Sequence, residues 1–399
     1  MKRIAIVTQR CHESIVGGSE ALAWQYARLL ATRFEVEVLT STAIDYMKWS
    51  SVLNEGVEKR DDIVVRRFAP AFERGPYWYC LHERMMRDYQ PHLASACSPR
   101  QGLWREAQQD EYVRFQGPYC PELEAWLREH QGEYAAVVFC TYLYPTTFLG
   151  IRHVSPRKSI LVPTLHDEPP AYLPVYAQTY RAHRNRIWLT AAEQRTSARL
   201  WGYDEGEVLG MAVQDLAASE PERQDRPYLL YCGRIEAAKG CDELVRAWQR
   251  LPDRGRVKLT FTGVDHLGLP NSPDIEFLGF VDEARKRALM AGALAFVLPS
   301  RYESFSIVTL EAMAQRTPVL VNGECEVMRD HIEQSGGGFA YRGIDDLVAK
   351  LERLCTLPSH ERARMGEAGR DYVLARYSED AIRTRLFEYV EHVIAQAER

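Results

Sequence analysis

No stretch of this 399-residue chain approaches the roughly 18 consecutive apolar residues that a membrane-spanning helix needs. The opening apolar run, Ile4 to Val7 behind Met1-Lys2-Arg3, is also far too short for the core of a secretory signal peptide. No two of the nine cysteines, at positions 11, 80, 97, 120, 140, 232, 241, 325 and 355, have Cys-x-x-Cys spacing, so neither a zinc site nor a dithiol redox motif is indicated. Their odd number and scatter, with Cys140 and Cys232 inside apolar strand-like runs, read as buried thiols in a reducing compartment. A cytosolic location is expected, and peripheral contact with the inner face of a membrane is compatible with it. An excess of positive charge is missing too. The net charge of -5 argues against generic nucleic-acid binding. Gly-x-Gly-x-x-Gly is absent after the first strand, and the second strand ends in Thr40-Ser41 where dinucleotide-binding domains place an acid, which disfavours a nicotinamide dehydrogenase.

What is present is a long series of short apolar runs alternating with helical patterns. The length suits two domains of ordinary size, and 46% hydrophobic residues suit full cores. Ile4–Val7, a helix from Ser19 or Glu20 to Ala31, and Val36–Leu39 make a βαβ opening, with Gly17-Gly18 in its first loop. Residues 42 to about 132 are the least regular. Val64–Phe68 reads as a strand, and Glu83–Tyr89 and Leu123–Glu129 read as helical, in a stretch crowded with Tyr and Trp between Tyr77 and Trp126. Such aromatics stack on sugars, but more often they fill a helical core. Tyr134–Cys140 and Ser159–Leu165 read as strands, and the second ends in His166-Asp167-Glu168, which puts an imidazole at the crevice end of an open α/β sheet. Asp167 either orients that ring or caps the following segment. The polar segment 214–227 reads as a linker. Beyond it, Tyr228–Cys232 leads into Gly233-Arg234 and Lys239-Gly240, a glycine-bounded loop whose two cations suit a diphosphate.

The chain is organised around Ala293–Leu298, a buried parallel strand, the loop Pro299 to Ser306, and a helix from Ile307 to Gln315 for which Ser306 is the expected N-cap. A helix that starts just past a strand aims unpaired N–H groups and a positive dipole end at the crevice, where phosphate is the usual occupant. Glu311 lies one turn beyond Ile307, and Glu303 lies in the loop before the helix, at the edge of the same crevice. The two acids bracket the helix start, which suits a ligand with hydroxyls at both ends and phosphate in the middle.

The run from Glu303 to Glu311 resembles the acid-seven-residues-acid motif of retaining glycosyltransferases of family 4, although Ser304-Phe305-Ser306 stands where that family commonly has Gly-Phe-Gly. The resemblance implies the GT-B architecture, an α/β fold of two Rossmann-like domains facing each other across a cleft. It places an acceptor-binding domain at 1–213 with a hinge strand at Val208–Val213, a donor-binding domain at 214–376, and at 377–399 a helix that returns to the first domain. It implies that Glu311 holds the donor ribose, that Glu303 lies near the transferred sugar, and that backbone groups of Phe305, Ser306, Ile307 and Val308 bind the diphosphate with Gly233, Arg234 and Lys239. His166 would contact the transferred sugar. Gly17 and Gly18 would lie beside the acceptor and the donor phosphates, Phe280 and Val281 would border the nucleobase, and Glu324 to Val327 would close over the donor. The chemistry expected is front-face transfer of a hexose, with retention, from a nucleotide-diphosphate sugar to a hydroxyl acceptor in polysaccharide or glycoconjugate assembly, with His166, Glu303, Arg234 and Lys239 as catalytic residues. No Asp-x-Asp run occurs, in keeping with catalysis without a metal or other cofactor. A UDP-sugar such as UDP-glucose is the favoured donor. The alternatives are a GDP-mannose-dependent mannosyltransferase, a sugar-nucleotide 2-epimerase of the same fold, and a sugar-nucleotide-binding protein without catalysis.

Overall fold

In the computed structural model the chain forms two compact units, residues 1–211 with 382–399, and residues 212–381. The structure describes residues 1–15, 17–94, 104–252, 256–269 and 272–399, the side chains of 90–94 excepted; Cys97 and part of the aromatic-rich segment lie outside them.

The first unit is built on a six-stranded sheet of β1 (Arg3–Val7), β2 (Glu35–Ser41), β3 (Gly56–Arg60), β4 (Ile63–Phe68), β5 (Ala136–Cys140) and β6 (Ser159–Val162), in the order β3-β4-β2-β1-β5-β6. All neighbours run parallel except the β3–β4 hairpin. β1 and β5 are buried on both faces, which is why they read as unbroken apolar runs. Around the sheet lie α1 (Gly18–Ala31), α2 (Pro76–Ala94), α3 (Glu106–Gln116), α4 (Pro121–His130), α5 (Pro145–Phe148), α6 (Pro174–Tyr180) and α7 (Ala191–Trp201). A short parallel pair, β7 (Ile187–Trp188) and β8 (Glu207–Val208), follows β6. The aromatics of the irregular region mostly fill the core: Trp78, Tyr89, Trp104 and Tyr112 are buried together with Tyr142, Tyr176, Tyr180 and Trp201.

The second unit holds β9 (Tyr228–Cys232), β10 (Lys258–Thr262), β11 (Ile275–Phe277), β12 (Ala295–Leu298), β13 (Val319–Asn322) and β14 (Gly338–Tyr341), all parallel, in the order β11-β10-β9-β12-β13-β14. Counted from its own first strand this is 3-2-1-4-5-6, the dinucleotide-domain order, in which ligands lie outside the carboxyl ends of the strands where the order reverses. Here that point falls between β9 and β12. Its helices are α8 (Cys241–Gln249), α9 (Glu283–Gly292), α10 (Ile307–Ala314), α11 (Glu326–Ser335), α12 (Gly343–Thr356) and α13 (Ser359–Tyr377). The polar segment before β9 is tied to this unit: Gln315 accepts from the Ser219 N–H and donates to the Ala217 carbonyl, and Asp215 pairs with Arg287. The last helix, α14 (Glu379–Ala397), buries Ile382, Leu386, Val390, Val393 and Ile394 at helical spacing, and from Ile382 onward it belongs to the first unit. Arg33 pairs with Glu391, and the ring of Phe34 meets that of Phe387 edge-on.

Three local expectations change. β6 stops at Val162 rather than Leu165, because the chain turns through Thr164 at φ 53°. The hinge strand shrinks to Glu207–Val208. Ser306 precedes α10 but does not cap it with its side chain.

Candidate functional site

Two loops meet at the reversal point of the second unit. The first leaves β9 through Gly233 (φ 147°), runs past Arg234 to Lys239, and closes at Gly240 (φ 73°) before α8. The second runs from Pro299 to Ser306 between β12 and α10. Gly240 sits so tightly on Pro299 that an added Cβ would come within 2.7 Å of its carbonyl oxygen. The Lys239 ammonium bonds Glu303 Oε1 at 2.7 Å. The loop predicted to grip phosphate and the acid predicted to lie near the sugar are therefore joined directly. Tyr231 donates to the Arg234 carbonyl at 2.7 Å, while the Arg234 guanidinium is half exposed and lies 3.3 Å from Glu236.

Ser306 takes the left-handed conformation (φ 60°, ψ 54°) that the glycine of Gly-Phe-Gly would adopt freely. The serine substitution therefore leaves the turn in place at a cost of about 1–2 kcal/mol in backbone strain. The hydroxyl bonds Thr309 Oγ1 at 2.8 Å instead of a peptide N–H, and Thr309 N donates to the Ser306 carbonyl. Ile307 and Val308, half-buried, are the first helical residues, whose N–H groups have no partner within a helix. Phe305 turns its ring into the core against His331 and Tyr377, so only its backbone is offered to the crevice. Its carbonyl accepts from His331 Nε2 at 2.9 Å, and His331 Nδ1 meets the Tyr372 hydroxyl at 2.9 Å.

Glu311, one turn into α10, is paired with a residue the sequence reading passed over: Lys286 of α9, at 2.9 Å. Burial pushes the Glu311 carboxyl up, with Lys286 opposing it. Burial also works against the Lys286 ammonium, but Glu311 and Glu283 hold it above the usual lysine range. At the edge of the same unit Gly279 (φ 68°) turns the chain after β11, its carbonyl accepting from Gly263 N and Thr262 Oγ1; Phe280 beyond it is 69% exposed and Val281 half-buried. Cys325 and Glu326 begin α11, and the Cys325 thiol lies 3.9 Å from the Glu303 carbonyl.

The first unit holds the other predicted residues. Gly17 is the N-cap of α1 and Gly18 its first residue, and neither has positive φ. Glu20 folds back over Gly17, its Oε2 only 2.3 Å from where a Cβ would stand. Glu20 binds the buried Arg10 through Nε and Nη2, and Arg10 also donates to the Ile44 carbonyl. His166 stands beyond β6, half-buried. Its nearest carboxylate is Glu168, 3.7 Å from Nδ1, not Asp167. Asp167 instead pairs with Arg199 at 2.5 Å and accepts from the Tyr172 hydroxyl. Glu168 accepts from the Tyr142 hydroxyl at 2.8 Å; burial raises its carboxyl, but His166 and Tyr142 outweigh this and keep it below the usual range. A Glu two positions after the His was the available signal for this partner. Arg10 and Lys286 had none, since each is defined only by a partner distant in sequence.

Comparison with solved structures places the fold. Sucrose-phosphate synthase from Thermosynechococcus elongatus superposes with a TM-score of 0.69 at 17% identity, over 99% of this chain and all of the other. Anabaena HepE, solved with UDP and glucose, gives 0.68 at 15%, over 98% and 100%. The fold is that of the GT-B glycosyltransferases, each unit carrying its own largely parallel sheet. Residues 213–372, all within the second unit, match the family model described as Glycosyl transferases group 1. The chain is 32% identical over 170 residues to alpha-D-kanosaminyltransferase of Streptomyces kanamyceticus, covering 39% of this chain and 42% of that protein. It is likewise 32% identical over 138 residues to an uncharacterised glycosyltransferase of Methanocaldococcus jannaschii, covering 32% and 35%. The matches span between a third and under half of the length of these relatives.

Proposed function

We propose that this chain is a retaining glycosyltransferase that moves a hexose from a nucleotide-diphosphate sugar, UDP-glucose being the favoured donor, to a hydroxyl acceptor in polysaccharide or glycoconjugate assembly. The observation that carries the reading is the joined pair of loops at the reversal point, where Lys239 bonds Glu303 in the segment that leads into α10; Arg234 lies in the first of these loops and Glu311 on the helix. A departing nucleoside diphosphate develops charge on its bridging oxygen. Preorganised N–H groups and two cations stabilise that charge in the transition state more than in the ground state. Glu311, with Lys286 beside it, is the acceptor for the ribose diol, and Phe280 and Val281 flank the base. To the first unit the proposal assigns His166, with Glu168 beside it, for the transferred sugar, and Gly17 and Gly18 for the donor phosphates. No protein nucleophile is assigned, and the acceptor hydroxyl attacks from the face the diphosphate leaves.

UDP is favoured because solved relatives of this fold carry UDP-glucose or UDP-2-fluoro glucose. A GDP-mannose donor is the second reading, supported by 26% identity over 147 residues to a GDP-mannose-dependent mannosyltransferase of Mycobacterium tuberculosis. The test is release of nucleoside diphosphate from UDP-glucose and from GDP-mannose. Arg234→Ala and Lys239→Ala are each expected to lower turnover by about 10²- to 10³-fold, as loss of one transition-state donor does. Losses below about tenfold for both would contradict the phosphate role. Product appearing from the donor alone as an epimerised sugar nucleotide would move the reading to a 2-epimerase.

A further inference from the structure

Two neighbouring strands of the first unit leave the sheet through a threonine in the left-handed region: Thr141 (φ 72°) after β5 and Thr164 (φ 53°) after β6. A β-branched residue there is a true outlier, costing about 1–3 kcal/mol, and it persists only where the surroundings over-determine it. Thr164 is buried, and the peptide N–H of the next residue, Leu165, donates to Glu193 Oε1 at 2.6 Å. The other carboxylate oxygen, Oε2, accepts from Leu189 N, also at 2.6 Å. Glu193 is 1% exposed and sits in the first turn of α7, where its own N–H donates to Thr190 Oγ1. A single carboxylate thus ties the peptide before His166 to the end of β7. Two donors need two acceptor oxygens. Amidating the group would set an NH2 against one of these N–H groups, and protonating it would leave one of them with a hydroxyl, a poorer acceptor. The ionisable groups facing Glu193 are His166 and the hydroxyl of Tyr26 in α1. Burial outweighs the N–H bonds and the His166 charge, and pushes the Glu193 carboxyl up to about 7.

We infer that Glu193 is the positioning residue for His166: its ionised carboxylate holds the strained Thr164–His166 turn in the geometry the reaction uses. The inference rests on reading the His166 end of β6 as the place of the transferred sugar. Displacing a reacting or positioning group by about 1 Å costs roughly 10²-fold in rate. Glu193→Gln in the full chain is therefore expected to lower kcat for UDP-glucose by about 10²-fold with little change in KM. It is also expected to speed hydrogen exchange of the Leu165 amide by at least about tenfold, the loss of roughly one charge-assisted hydrogen bond. Thr164→Gly in the Glu193→Gln background should recover part of kcat, since glycine takes this conformation without strain. The wild-type chain needs no substitution for the second arm. Corrected for intrinsic exchange, its Leu165 amide is expected to lose protection as the pH falls through about 7, where Glu193 takes up its proton. Wild-type kcat and unchanged Leu165 exchange in Glu193→Gln overturn the inference, as does pH-independent protection in the wild type. Full turnover in His166→Ala instead overturns the sugar-site reading, while the exchange arm still decides whether Glu193 holds the turn.

Discussion

At the scale of single residues, the pairing of Glu311 with Lys286 changes what the acid can do. A carboxylate 2.9 Å from an ammonium that is itself shared with Glu283 is held in place, and that ammonium opposes the burial that pushes the carboxyl up. It is then ready to accept from two adjacent hydroxyls without first reorganising. Glu311→Ala removes that acceptor and leaves Lys286 with Glu283 alone. The expected outcome by calorimetry is UDP binding weaker by at least about tenfold, the worth of one charge-assisted hydrogen bond, with turnover at saturating donor affected less. Unchanged UDP affinity would contradict the ribose role. Lys286→Met should act in the same direction, because it takes away the ammonium that pairs with the buried Glu311.

At the scale of elements, α10 and its entry turn are held from behind. His331 of α11 is 1% exposed and uses both ring nitrogens, one on the Phe305 carbonyl and one on the Tyr372 hydroxyl of α13, which also meets the Tyr377 hydroxyl at 3.3 Å. Tyr372→Phe strands a buried ring nitrogen and is expected to cost about 1–3 kcal/mol in denaturant unfolding. Burial pushes His331 down to about 4, from an ordinary 6.5, and does the same to His183, whose Nδ1 meets Ser159 Oγ at 2.7 Å. Between those values the unfolded chain binds a proton that the folded chain refuses, so stability falls as the pH drops from 6.5 to 4, by about 3 kcal/mol for each group. Glu193 acts with the opposite sign. Its folded value of about 7 lies above the ordinary 4.5, so the stability tied to its proton is present below 4.5 and lost as the pH rises to 7. Melting curves followed against pH should therefore flatten on the acid side in His331→Asn and on the neutral side in Glu193→Gln. An unaltered acid limb in His331→Asn would mean that this ring does not titrate as its burial requires.

At the scale of the whole molecule, the sequence was most legible where strands are buried on both faces and helices follow directly. Ala295–Leu298 and Tyr228–Cys232 needed no tertiary information, because an all-parallel sheet writes itself as short apolar runs between helical patterns. β3 was missed because Gly56–Arg60 is an exposed, charged edge with no apolar face. α3 was missed because its buried stripe, Gln109, Tyr112, Val113 and Gln116, includes two glutamines that hide the helical period. In the candidate site, residue types and spacing were visible, but the bonds that join them were not. The Lys239–Glu303 and Lys286–Glu311 pairs link positions 64 and 25 apart, and Glu193 reaches back 28 residues to Leu165. Ser306 shows that a glycine rule bends where the fold holds a turn firmly enough.

The most direct measurement is a calorimetric titration of the full chain with UDP, GDP and ADP, repeated on Lys239→Ala. The account predicts that one diphosphate, UDP being favoured, binds at a single site, and that losing Lys239 weakens it by about tenfold or more, the worth of one charge-assisted contact to phosphate. Failure of all three nucleotides to bind, or equal binding to Lys239→Ala, would contradict a diphosphate crevice at the carboxyl ends of β9 and β12.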